Sequence, residues 1–198
     1  MKQPIGIAPE RLASSGTVPL WAELRRPGVL LAVHVGHMRR SRGLDRLREI
    51  KILLGNRIEI VVVASPYFAP DTGLMEELIA AGVHVDRGFV PAIADVYRSA
   101  DLYLFPPPPE SEGAIELPLG VLEAIACKVP VISTPFGALP EALAGLSGVE
   151  FVASKDFATA VARWVDRGEA NPRPEGLPAY LNAHRITERV IELCMETT

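Results

Sequence analysis

The run GVLLAVHVGHMRRSRGLDRLREIKILLGNRIEIVVVA, residues 28–64, decides the fold. Gly28 to Gly36 is a continuous apolar stretch rich in Val and Leu, the pattern of a parallel strand covered on both faces. A basic loop, HMRRSRG, follows it. Leu44, Leu47, Ile50, Leu53 and Leu54 then recur at helical spacing, and Gly55 and Asn56 stop the helix. Ile58 to Ala64 is a second strand, so the stretch reads as one strand–helix–strand unit.

The pattern repeats along the chain. It predicts a helix over 73–81, a strand over 83–89, a helix over 91–100, a strand over 102–105 and a helix over 117–128. A strand over 129–134, a helix over 139–146, a strand over 149–153 and a helix over 155–167 complete the series. Strict alternation of short apolar strands with helices implies crossover connections, and hence a parallel sheet with helices on both faces. The expected fold is a doubly wound, Rossmann-like α/β domain. After Gly168, NPRPEGLP is a loop by composition, and a terminal helix is expected over 179–196. Residues 1–27 are broken by Pro4, Pro9, Pro19 and Pro27 and read as an arm or former linker.

The length of 198 residues suits one substantial domain and is short for two. Hydrophobic residues make up 48% and charged residues 22%, with a mean hydropathy of +0.21, which is globular composition. The longest apolar runs fall far below the roughly 20 residues of a membrane helix. No sustained apolar core follows the basic start, so a secretory signal is not expected. Cys127 and Cys194 lie inside helical patterns and are expected to be buried small hydrophobes in a reducing, cytoplasmic setting. A net charge of -4 argues against general nucleic-acid binding, though a local basic patch for phosphates is compatible with it.

Ligands in open α/β sheets bind at the carboxyl ends of the strands, so the loops there carry the candidates. In Gly36 to Gly43, His37, Arg39, Arg40 and Arg42 supply positive charge beside a helix start, suited to a diphosphate or simply to solvent. Around Arg87 to Pro91, Phe89 offers an aromatic face and Val90 its main chain to a nucleobase; Phe89 as ordinary core is the alternative.

The third loop lies in FPPPPESEGAIELPLGVLEAIACK, residues 105–128. Its prolines cannot extend a strand, and Leu119 and Gly120 present unpaired N–H groups at the helix start. Glu123 sits at the edge of that helix's apolar face, placed to accept hydrogen bonds from a ligand hydroxyl. Glu110, Glu112 and Glu116 read either as part of the site or as a solvated acidic loop. In the fourth loop, Phe136 to Glu141, Glu141 is most simply a favourable charge in a first helical turn. Dinucleotide, P-loop, D-x-D, C-x-x-C and G-x-S-x-G motifs are all absent, and no histidine stands at metal-ligand spacing. His34 and His84 fall within strand patterns and read as structural.

The succession VHVGHMRRSRGLDRL, IEIVVVAS, VHVDRGFVPAIADVYRSADLYLFP and LPLGVLEAIACKVPVISTPFGALPEAL resembles the C-terminal, donor-binding domain of GT-B-fold family 4 glycosyltransferases, the glycosyl transferases group 1. The likeness runs from about Val29 to Gly168, and LEA-x-A-C-x-x-PV is its most specific part. It implies a nucleotide-sugar donor, UDP- or GDP-linked, transferred with retention and without a metal or other cofactor. Gly36, His37 and Arg42 would face the diphosphate together with the N–H groups of Leu119 and Gly120. Phe89 and Val90 would face the base, and Glu123 the ribose. Arg42 and Glu116 would be the catalytic candidates.

The chain departs from the family pattern at several positions. His37 and Arg42 stand where the family has Arg and Lys. The family's paired glutamates are separated by seven residues, which counting back from Glu123 places Ile115, with Glu116 one position off, and Pro118 replaces a glycine. The resemblance divides the chain into an interdomain arm over 1–27, a donor-binding domain over 28–168 and a C-terminal loop and helix over 169–198. It implies an acceptor-binding N-terminal half absent from this sequence, joined in cis or supplied as a separate subunit, and it leaves peripheral membrane association of the full enzyme open. The alternative is a noncatalytic subunit that keeps the fold and has lost the donor.

Overall fold

In a computed structural model that describes residues 6–109 and 116–196, six strands form one parallel sheet. The strands are β1 (Leu30–Gly36), β2 (Ile58–Ala64), β3 (His84–Asp86), β4 (Leu102–Phe105), β5 (Val131–Ser133) and β6 (Val149–Phe151). Their spatial order is β3-β2-β1-β4-β5-β6, and every pairing is parallel. The helices are α1 (Asp45–Leu54), α2 (Thr72–Ala80), α3 (Ile93–Arg98), α4 (Leu119–Ala126), α5 (Leu139–Ala142), α6 (Phe157–Arg167) and α7 (Ala183–Glu196).

The side-chain period of two divides each strand between two cores. Leu31, Val61, Val63, Tyr103 and Val131 face one core with residues of α3 and α4; Ala32, Ile60, Val62, Leu102 and Ile132 face the other with α1, α2 and α6. Burial on both faces is why these strands read as unbroken apolar runs. The doubly wound α/β expectation therefore holds. β2 and β4 fall at the expected residues, while β3 and β5 are shorter, because Val83, Phe89, Val129 and Thr134 lie outside the ladder.

The expected burial of the cysteines needs correction. Cys194 is exposed and Cys127 only half-buried, and the two are not joined by a disulfide. The arm contains two short 3-10 turns, Pro9–Leu12 and Leu20–Leu24, and is laid on the molecule by specific contacts. Ile7 exchanges main-chain hydrogen bonds with Leu181 and Ala183, and Arg25 pairs with Asp101. No helix among the described residues is long and apolar enough to cross a membrane.

Candidate functional site

Strands β1 and β4 are neighbours, yet the chain leaves them toward opposite faces, into α1 and α4. A crevice opens between the two departing loops at such a switch point. The loops meet there. Gly43 has a φ of 69° and lies so close to the Pro106 carbonyl that a side-chain carbon would overlap it. Pro106 and Pro107 are buried, and the Thr134 hydroxyl donates to the Pro107 carbonyl. The prolines that end β4 thus form a fixed wall under the basic loop.

On the other side of the crevice α4 begins at Leu119 behind Pro118, whose carbonyl accepts from Val121 and Leu122. The Leu119 and Gly120 N–H groups have no partner among the described residues, as a first helical turn leaves them. Gly120 has an additional role: a Cβ there would lie 2.7 Å from the Tyr103 hydroxyl and 3.2 Å from that of Tyr97. The glycine lets α4 approach the sheet.

One turn further in, Glu123 is only 2% exposed. The Tyr97 hydroxyl donates to its Oε2 at 3.0 Å, and Arg11, from the arm, pairs with Oε1. Burial first, then the nearby Tyr103 and Glu123, pushes the Tyr97 hydroxyl well above its ordinary value, which keeps it a donor. Glu123 was legible in the sequence as a carboxylate near the cleft. Arg11 was not, because nothing local in PERL connects it to a residue more than a hundred positions away.

The basic loop is less uniform than its composition suggests. Arg40 is held by Glu77 at 2.8 Å, so its charge is engaged beside α2 and is not aimed at the crevice. Arg42 is half-buried at the end of the loop, and Arg39 is exposed. The His37 ring lies 4.2 Å from that of Phe68. Burial, then Arg42 and Arg39, lowers its pKa, so it stands neutral at neutral pH. Glu116 is exposed, with its carbonyl accepting from Ala138 at 3.0 Å. Glu110, Glu112 and Ile115 lie outside the described residues.

Phe89 is 73% exposed, which removes the reading of ordinary core. Val90 is half-buried beside a cavity of about 230 Å³, and neither Phe89 nor Val90 spends its main-chain N–H or carbonyl on another described residue. Among the described residues no group of three or more His, Cys, Asp or Glu side chains is placed to hold a metal.

His34 lies beneath the crevice. Its Nδ1 is 2.9 Å from the Leu104 carbonyl, which can only accept, so Nδ1 carries the proton. Burial lowers its pKa to about 4, against the opposing effect of that hydrogen bond. The unfolded chain therefore binds a proton at His34 between pH 6.5 and 4 while the native one does not, and stability contributed above pH 6.5 is lost as pH falls through that window. The expected loss is on the order of 3 kcal/mol. Melting curves across the window should show a steeper acid loss for the wild type than for His34→Gln; equal slopes would contradict this assignment.

A family model described as glycosyl transferases group 1 matches residues 30–167. The chain belongs to this family. Among curated proteins it is similar to the D-inositol 3-phosphate glycosyltransferase of Saccharomonospora viridis, 31% identical over 157 residues. That match covers 74% of this chain and 33% of the relative. Among solved structures, this group 1 chain is similar to Anabaena HepE in complex with UDP, with a TM-score of 0.72 at 13% identity over 96% of this chain and 56% of that one. The sucrose-phosphate synthase of Thermosynechococcus elongatus gives 0.63 at 20% identity, over 98% of this chain and 50% of its own. The chain thus spans a third of the curated relative and about half of the solved ones. The shared fold is that of a GT-B glycosyltransferase domain.

Proposed function

We propose that this group 1 chain is the nucleotide-diphosphate-sugar-binding half of a retaining hexosyltransferase, acting with an acceptor-binding unit in cis or on a separate subunit. The observation that carries this reading is Glu123, a nearly buried carboxylate at the sheet's switch point, one helical turn in from the unpartnered N–H groups of Leu119 and Gly120. Those N–H groups, at the positive end of α4, take the diphosphate together with the main chain at Gly36 and the guanidinium of Arg42. Glu123 accepts the ribose hydroxyls, and Phe89 and Val90 receive the base. Leaving-group charge on the departing nucleoside diphosphate is stabilised by fixed donors, with no metal required. His37 contributes a hydrogen bond to the phosphate oxygens.

Uridine diphosphate is the first donor nucleotide to test, since HepE has been solved with UDP and with UDP-glucose. Calorimetric titration with UDP, UDP-glucose and GDP, in the presence and absence of a chelator, should show binding that the chelator does not change. Absence of heat for every nucleoside diphosphate would overturn the reading in favour of a noncatalytic subunit, a role to which the engagement of both Glu123 oxygens by Arg11 and Tyr97 lends support.

Glu116 is the residue we assign to the sugar. It is exposed, and its main chain is fixed against the Gly137–Ala138 turn, so its side chain is free to reach a hexose above the diphosphate. Glu116→Gln should weaken UDP-glucose several-fold while leaving UDP unchanged, a charged hydrogen bond being worth roughly 1.5–3 kcal/mol before dilution by solvent. An unchanged ratio of the two affinities would remove Glu116 from the site.

A further inference from the structure

The arm reads from sequence as a linker, but three contacts fix it in chain order along the α3 side of the crevice. Arg11 pairs with Glu123; Ser14 and Ser15 donate to the two oxygens of Asp95, the Ser15 hydroxyl at 2.8 Å and its N–H at 2.9 Å; and Trp21 Nε1–H donates to Asp86 Oδ2 at 3.2 Å. Between the second and third contacts lies the cavity of about 230 Å³, lined on one side by Val18, Pro19 and Trp21 and on the other by Phe89, Val90 and Pro91. It is smaller than the roughly 300–1,000 Å³ of pockets that take a whole ligand. Its size suits one ring system of a ligand whose remainder lies elsewhere.

Asp86 sets the geometry of both walls. Its Oδ2 holds the Trp21 indole, and its Oδ1 accepts from the Gly88 N–H at 2.7 Å, which fixes the turn that carries Phe89 and Val90. One carboxylate at the end of β3 thus spaces an indole from a segment with unspent main-chain donors and acceptors. Between them a planar heterocycle gains apolar contact from the ring and hydrogen bonds from the main chain, and every base offers a face for stacking. Along the same arm, Arg11 closes over the carboxylate assigned to the ribose.

We propose that the arm is part of the donor site, and that Trp21 is a positioning residue for the nucleobase, forming the wall opposite Phe89 and Val90. This rests on the donor-binding reading above. Arg11, with its side chain 53% exposed, fastens the start of the arm to Glu123 and so keeps the wall in register with the ribose position.

The test uses the full chain with Trp164→Phe, which leaves Trp21 as the sole tryptophan; Trp164 lies on α6, in the core across the sheet. UDP is titrated with calorimetry and indole emission followed in parallel. The expected result is a saturable change in Trp21 emission with the midpoint given by the heat. Trp21→Ala should weaken UDP roughly ten- to hundredfold, and Trp21→Phe should restore most of the affinity. A merely structural Trp21 would give no emission change on binding. Heat without an emission change, or undiminished affinity in Trp21→Ala, would overturn the wall and leave donor binding intact. Absence of heat in the parent would overturn both.

Discussion

Glu123→Ala is expected to reduce UDP affinity by roughly 10- to 150-fold, the equivalent of one charge-assisted hydrogen bond at about 1.5–3 kcal/mol. The effect is large because the carboxylate is nearly buried and its hydrogen bonds to a ribose would form away from competing water. Its existing partners do not exclude the ligand. A carboxylate has about four lone-pair sites, and Arg11 and Tyr97 use one on each oxygen, so a diol can share them.

The substitution also leaves the Tyr97 hydroxyl, fully buried, without its acceptor, at a cost of about 1–3 kcal/mol in stability. Affinity should therefore be measured by calorimetry well below the melting transition. Glu123→Gln separates the two effects, since the amide oxygen still accepts from Tyr97 while the charge is gone. Wild-type affinity in both variants would remove Glu123 from the ribose position.

The sheet was legible because its strands are buried on both faces. Ile58–Ala64 and Leu102–Phe105 have no polar face for a helix to show, and Pro106 ends the second run directly. Shorter elements lost residues at their ends, where apolar side chains such as Val83 and Val129 are buried without pairing in a ladder. The positions of Glu123, Leu119 and Gly120 followed from helical periodicity and from helix-end chemistry, both local properties. The arm did not, because proline spacing marks it as irregular without saying where it lies. Its contacts join Arg11 to Glu123, Ser15 to Asp95 and Trp21 to Asp86, pairs that only tertiary folding brings together. Similarly, three arginines in one loop looked equivalent until Glu77, on α2, was seen to hold one of them.

Gly43→Ala is expected to be strongly destabilising, by about 3–5 kcal/mol, at the exceptional end of point-mutant effects. Two costs combine. A left-handed backbone, with φ of 69° and ψ of 19°, disfavours any side chain by about 1–2 kcal/mol. The new carbon would also overlap the Pro106 carbonyl, a backbone atom that cannot turn aside as a flexible side chain would. Pro106 and Pro107 are buried, and the Thr134 hydroxyl holds the next carbonyl, so relief requires moving the whole β4–α4 loop. Gly145 is the control: its φ is 73°, but nothing lies within 4 Å of a Cβ placed there. Gly145→Ala should therefore show the backbone cost alone. Thermal melts giving equal losses for the two variants would show that the contact with Pro106 is not what Gly43 provides. A larger loss at Gly43, accompanied by weaker UDP binding in the folded fraction, would show that this contact holds the basic loop at the distance from α4 that a diphosphate spans.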